Sequence, residues 1–208
     1  MEITSLTRYK GSTFEVELDY QRKIYLHADI IHDHSLRQGT QLERDELKRI
    51  IYASNFRRAY QRALYLLDYR DHSRKEMYDK LIDTYKSEAL CSAVLDKLEE
   101  NRFIDDERYA ENMARKLVVS KRFGRRRALR ELVQKGIGRF TAEDALAEYD
   151  DTFSENLSEM LETKYSRYLG DPTDRKSIEK VKSSLVRYGY SFDEINRAVK
   201  EYFENMER

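Results

Sequence analysis

Gly124-Arg125-Arg126-Arg127-Ala128-Leu129-Arg130-Glu131-Leu132-Val133-Gln134-Lys135-Gly136-Ile137-Gly138 is the stretch that decides the fold. On a helix from Gly124 to Lys135, Ala128, Leu129, Leu132 and Val133 share an inner face, and Arg126, Arg127, Arg130 and Gln134 lie opposite. Gly136 can close this helix, and Gly138 occupies the N-cap position of another. The same grammar occurs three times. Leu81, Leu132 and Leu185 align at spacings of 51 and 53 residues. Six positions after each anchor stand Ser87, Gly138 and Ser191; fourteen after stand Leu95, Leu146 and Val199. Met77, Ala128 and Val181 precede the anchors by one helical turn. Each copy therefore reads as three helices, the first long and the next two shorter, and a period of this size predicts an array whose units pack on their neighbours.

Local signals support the boundaries. Ser73-x-x-Glu76 and Ser191-x-x-Glu194 fit capping boxes. Asp105-Asp106-Glu107 puts acid where a helix presents its positive dipole end. Pro172 falls between helices, where its missing N–H costs least. The expected divisions are an N-terminal extension at 1–54 and three-helix repeats at 55–104, 105–152 and 153–208. Phe153–Leu157 and Gly170–Thr173 are the candidate joints. The fold class expected is mainly α, an elongated array of tandem three-helix repeats with a small N-terminal β-meander and helix.

The first forty residues follow another period. In Thr13-Phe14-Glu15-Val16-Glu17-Leu18-Asp19 the apolar side chains at 14, 16 and 18 share one strand face. Turns at Lys10-Gly11-Ser12 and Tyr20-Gln21-Arg22-Lys23 predict a three-stranded antiparallel meander. Such a sheet needs a helix over its apolar face, which the segments around Ala28–His34 and Glu43–Ala53 can supply.

Composition bounds the class. Of 208 residues, 38% are charged, and mean hydropathy is −0.85. Leu, Ile, Val and Phe still number 48, about 23%, enough for a packed core. One proline and seven glycines favour long helices. No run approaches ~20 apolar residues, so no membrane span is expected. Met1-Glu2-Ile3-Thr4 does not open a secretory signal, and a single Cys91 suits a reducing cytoplasm.

The 39 basic and 39 acidic residues cancel in sum but not in place. Residues 115–139 hold ten bases and one acid, a local +9, whereas 140–163 hold eight acids and no base, a local −8. The arginine stripe can hold phosphates or a carboxylate-rich protein surface. The alternative is a solvated face paired with the acidic block. Enzymatic constellations are poor: Asp105 and Asp106 suit helix capping, and His32 and His34 face different sides of a helix with no further ligand pair. No phosphate loop occurs, and Cys91 falls on a packed helix face. Tyr65, Tyr69, Tyr78, Tyr85, Tyr109, Tyr149 and Tyr202 read mostly as core or boundary residues. No catalytic residue, cofactor or metal is expected.

Three stretches carry a family resemblance: Ala63-Leu64-x-x-Leu67-x-Tyr69-Arg70-x-His72-Ser73-x-x-Glu76, Phe103-Ile104-Asp105-Asp106-Glu107-Arg108-Tyr109-Ala110, and Lys121-Arg122-Phe123-Gly124 with Leu132-x-x-Lys135-Gly136-Ile137. Their order and spacing resemble the RecX regulators of the bacterial recombinase RecA, well over about residues 55–150 and more loosely beyond. The resemblance implies a non-enzymatic, cytoplasmic monomer acting in homologous recombination, DNA repair and the SOS response. It would bind the RecA filament, with single-stranded DNA within it, and modulate filament assembly, ATP turnover and strand exchange, with inhibition the leading direction. By similarity the contacts fall on Arg70, Lys121, Arg122, Arg125, Arg126, Arg127 and Arg130. The first repeat departs from the pattern with Thr84-Tyr85-Lys86 in place of Lys-Gly-Ile, and the third with Tyr188-Gly189-Tyr190 and extra length around Asp171-Pro172. A general single-strand DNA-binding protein and a helical-repeat adaptor for another protein are the alternatives.

Overall fold

The computed structural model describes residues 1–206; residues 207 and 208, the end of the third expected repeat, lie outside the described residues. The chain divides into two compact units, Met1–Ile104 and a second that begins at Asp105.

In the first unit, β1 (Ile3–Lys10), β2 (Thr13–Leu18) and β3 (Arg22–His27) form the expected antiparallel meander in the order β1-β2-β3. Leu6 pairs with Val16, and Val16 with Ile24, so the middle of one face is apolar, with Arg8 opposite Phe14 and Arg22 opposite Leu18 at its margins. Val16 and Leu18 are buried, while Phe14 is half-buried. α1 (Ala28–Asp33) follows directly, its first turn capped by His27, whose Nδ1 accepts the Asp29 N–H at 3.1 Å. The chain then returns beside β1. Ile3 N–H donates to the Thr40 carbonyl at 2.9 Å, and Gly39 N–H donates to Ile3 at 2.8 Å, covering the start of that edge strand.

α2 (Arg44–Tyr69) runs unbroken for 26 residues and serves two cores. Leu47 and Ile50 pack against the sheet with Ile3, Val16, Leu18, Ile24 and Leu26. One stretch further, Ala59 and Ala63 pack with Met77 and Leu81 of α3 (Arg74–Tyr85) and with Leu90, Cys91, Val94, Leu95 and Leu98 of α4 (Glu88–Glu100). Residue 54, the expected end of the N-terminal extension, thus lies inside a helix. Its Ser54 hydroxyl accepts the buried His27 N–H at 2.8 Å. Ser73 caps α3 through the Glu76 N–H at 3.1 Å, and Ser87 caps α4 through Leu90 at 3.4 Å. Lys86 takes the left-handed conformation (φ 52°) between them, the work done by glycine in the other repeats.

The second unit contains six α-helices among the described residues: α5 (Asp106–Arg115), α6 (Arg125–Gln134), α7 (Arg139–Ala147), α8 (Asp150–Thr163), α9 (Arg175–Tyr188) and α10 (Phe192–Met206). Asp105 caps α5, its carboxylate accepting the Arg108 N–H at 2.9 Å. A π turn, Lys116–Ser120, extends α5, and Asn156 of α8 donates its buried amide to the Val118 carbonyl there at 3.0 Å. In the third repeat α9 and α10, of 14 and 15 residues, are as long as α8, so the expected long-short-short order does not hold there. Leu117, Leu132, Ile137 and Leu146 of the second repeat share one core with Leu157, Leu161, Leu185, Tyr190 and Ile195 of the third. The candidate joint at Phe153–Leu157 is interior to α8, with Phe153 and Leu157 both buried. Val133 corrects the helical wheel: expected on the inner face of α6, it is 45% exposed, because α6 buries only the narrow Ala128–Leu132 stripe.

Candidate partner-binding surface

The charged run at 121–130 begins at a tight backbone joint within the second unit. Gly124 N–H donates to the Tyr188 carbonyl at 2.9 Å, and Arg126 N–H donates to the Gly189 carbonyl at 3.2 Å. The loop before α6 is thereby stitched to the turn between α9 and α10. Two glycines make the approach sterically accessible. A Cβ on Gly124 would lie 2.6 Å from the Gly189 carbonyl carbon, and Gly189 itself has φ +99° with its Cα facing Arg127. The Tyr190 hydroxyl donates to the Arg122 carbonyl at 3.1 Å, and burial pushes its phenol far above the usual range.

This joint sorts the basic residues expected to bind a partner. The Arg127 guanidinium lies 3.7 Å from the Phe123 ring centroid and donates to the Arg187 carbonyl at 3.0 Å. Arg125 pairs with Asp150, donates to the Leu146 carbonyl at 3.3 Å and sits 5.1 Å from the Phe153 ring. Arg122 pairs with Glu159 at 2.6 Å, and Lys121 stands 5.5 Å from the Phe123 ring. Arg70, in the first unit, holds Glu76 at 3.1 Å. The two opposed charge blocks are therefore partly neutralised by each other, through Arg122–Glu159, Arg125–Asp150 and Arg139–Glu143.

Arg126 and Arg130 are different. Both are exposed and have no side-chain partner among the described residues. They lie one turn apart on α6 and continue into exposed Val133 and Gln134, giving a cationic stripe with an apolar end. Five of the seven expected contact residues thus have intramolecular work, and two present unneutralised charge.

Sequence reasoning missed other cation–aromatic surfaces. Tyr65 and Tyr69, expected as core or boundary residues, are 67% and 87% exposed on α2, and the Arg62 guanidinium lies 5.3 Å from the Tyr65 ring. Their spacing of four residues identifies a shared face; its outward direction depends on Ala59 and Ala63 being the buried pair. Cys91 is fully buried, and burial raises its thiol pKa, as expected of a core residue. No group of three or more His, Cys, Asp or Glu suited to a metal occurs among the described residues, and no described helix is long and apolar enough to cross a membrane.

Comparison with known proteins places this arrangement. Residues 59–98 match the family model of the RecX first three-helix domain, and residues 105–146 that of the second. A crystal structure of RecX from Lactobacillus salivarius is 33% identical, with a TM-score of 0.65 over 72% of this chain and 97% of that one. The chain belongs to the RecX family. The regulatory protein RecX of Bacillus velezensis is 29% identical over 96% of this chain and 76% of its own length. That of Clostridium acetobutylicum is 27% identical over 93% and 92%. Another crystal structure of a regulatory protein RecX, 24% identical, shares the fold with a TM-score of 0.71 over 96% of this chain and 98% of that one. Both RecX domain matches coincide with α-helical triplets: the C-terminal half of α2 with α3 and α4, and α5 with α6 and α7.

Proposed function

We propose that this RecX-family chain is a non-enzymatic regulator of RecA that binds the RecA–single-stranded-DNA filament and inhibits its assembly, ATPase and strand exchange. The observation that carries the reading is the exposed Arg126–Arg130 stripe of α6, left without ion pairs beside neighbours that are paired. It lies in the domain matched to the second RecX three-helix unit. The working modules are the extension at 1–54 and the repeats at 55–104, 105–152 and 153–208, in a cytoplasmic monomer. Several modest contacts from successive repeats sum through multivalency, and arginine contacts to carboxylate or phosphate make binding salt-sensitive.

The test is Arg126→Glu with Arg130→Glu, assayed as inhibition of RecA ATPase on single-stranded DNA. The expected result is inhibition weakened about tenfold with the circular dichroism spectrum and melting curve retained. Undiminished inhibition by the folded double variant removes the stripe from the mechanism. Binding to the filament, to RecA alone and to free single-stranded DNA, each at two salt concentrations, separates the filament reading from a general DNA-binding protein or an adaptor. Filament-preferred binding is the expected outcome.

A further inference from the structure

We infer that the third repeat carries a single-stranded nucleic-acid site of its own, in the cleft between the turn at 165–168 and α9. The cleft has a volume of about 680 Å³ and is lined by Tyr165, Tyr168, Lys176, Lys180, Ser183 and Arg187, with Glu179 at its side. Lys176, Lys180, Ser183 and Arg187 follow one another at i, i+4, i+7 and i+11, so a single stripe of α9 faces it. The cations are spaced about 6 Å and about 10 Å along the helix axis.

Their charge is available. The carboxylate within the cleft, Glu179, is drawn to Lys182 at 3.7 Å. Asp174 caps α9, where it accepts the Ser177 N–H at 3.1 Å, and its carboxylate also feels the Lys180 charge without forming an ion pair with it. Lys176, Lys180 and Arg187 form no ion pair among the described residues. α9 as a whole holds five bases against one acid.

The aromatic wall supplies the second half of the recognition. Tyr165 is 6% exposed and fixed by a 2.8 Å hydrogen bond between its hydroxyl and Ser184, which makes it a rigid back wall. Tyr168 is 45% exposed, with the Arg167 guanidinium 4.9 Å from its ring centroid. A cationic row that tracks phosphates beside an accessible ring that can stack on a base is the chemistry of single-strand binding. An acidic peptide would use the row but not the ring, and a duplex offers no unstacked base to it. This inference stands on α9 and Tyr168 alone and does not require the filament reading or the α6 stripe.

The test uses the full chain and a fluorescein-labelled 20-nucleotide oligothymidylate, followed by anisotropy across a salt series. Lys176→Gln with Lys180→Gln should weaken binding about tenfold and reduce the log–log salt slope by about 1.4, near 0.7 for each phosphate no longer neutralised. Tyr168→Ala should weaken binding about tenfold with the salt slope unchanged, and Tyr168→Phe should restore it. Arg126→Glu with Arg130→Glu should leave most of this binding in place, which separates the two surfaces. The inference is overturned if wild-type protein does not bind the oligonucleotide, or if the folded Lys variant binds as wild type. It is overturned equally if Tyr168→Phe fails like Tyr168→Ala, or if polyglutamate or duplex DNA competes as well as the single strand.

Discussion

Arg125 and Arg127 flank Arg126 and Arg130 around the axis of α6, and that placement separates two kinds of work. The first pair turns toward neighbouring helices: Arg125 reaches Asp150, the Leu146 carbonyl and Phe153, and Arg127 reaches Phe123 and the Arg187 carbonyl. The second pair turns to solvent with no partner among the described residues. A guanidinium serves equally well as a rivet over an aromatic ring or as a ligand for an anion. A run of arginines therefore does not by itself measure a binding surface; the carbonyls and rings within reach decide how much of it is left over.

The largest effect should come from breaking the joint beneath the riveting pair. Gly189→Ala forces a side chain into a left-handed conformation and against Arg127, and is expected to cost about 3 kcal/mol. Gly124→Ala should follow at about 2 kcal/mol, since its Cβ meets the Gly189 backbone. Urea denaturation measures both, and wild-type stability in either variant would mean that the close approach of the two glycines is not held in solution.

Arg127→Ala should lower stability by about 1–2 kcal/mol, because the closest cation over the Phe123 ring and the guanidinium donor to the Arg187 carbonyl are both lost. Arg126→Ala should leave the urea midpoint unchanged. Equal midpoints for the two variants would erase the distinction between rivet and ligand. In binding assays the order should reverse, with Arg126→Ala the more damaging at matched stability.

A smaller effect sharpens the contrast between the two units. All four histidines lie in the first unit, and His72 there is buried, its Nδ1 2.9 Å from the Arg70 carbonyl. Burial depresses its pKa below the ordinary 6.5. The unfolded chain then binds a proton that the folded chain refuses, so stability falls as pH drops below about 6.5 and is fully present above it. His72→Gln should flatten the stability profile below about pH 6.5, measured by urea titration; an unchanged profile would place the acid sensitivity elsewhere.

The smallest expected signal is a negative one. Cys91, buried in the first repeat and with its thiol pKa raised by burial, should react with a thiol reagent only after opening of that core. Labelling of the native protein as fast as that of the urea-unfolded chain would mean that this core is open in solution.

Much of the fold was legible because it rests on local patterns. The alternation at Phe14, Val16 and Leu18, and the caps at Ser73, Ser87, Asp105 and Ser191, are one-dimensional signals with short-range causes. The departures have longer-range causes. Val133 lies beside the packed face of α6 on a helical wheel, yet the neighbouring helices cover only Ala128 and Leu132. Tyr65 and Tyr69 look like core residues by type, and α2 turns them outward because small Ala59 and Ala63 are what lets α3 and α4 approach. The cleft at α9 was missed because Tyr165 and Tyr168 meet Lys176, Lys180 and Arg187 only across the connection at 169–174.

The sequence by itself determined the helical period, the caps, the three aligned anchors and the family, because each depends on residues within a turn or two of one another or on their order. Only the tertiary structure decided which charges are free. Ion pairs such as Arg122–Glu159 and the Gly124–Tyr188 backbone bond join residues 37 and 64 positions apart. Whether an arginine meets a carboxylate of its own chain or remains for a partner is set by that packing, not by its neighbours in sequence.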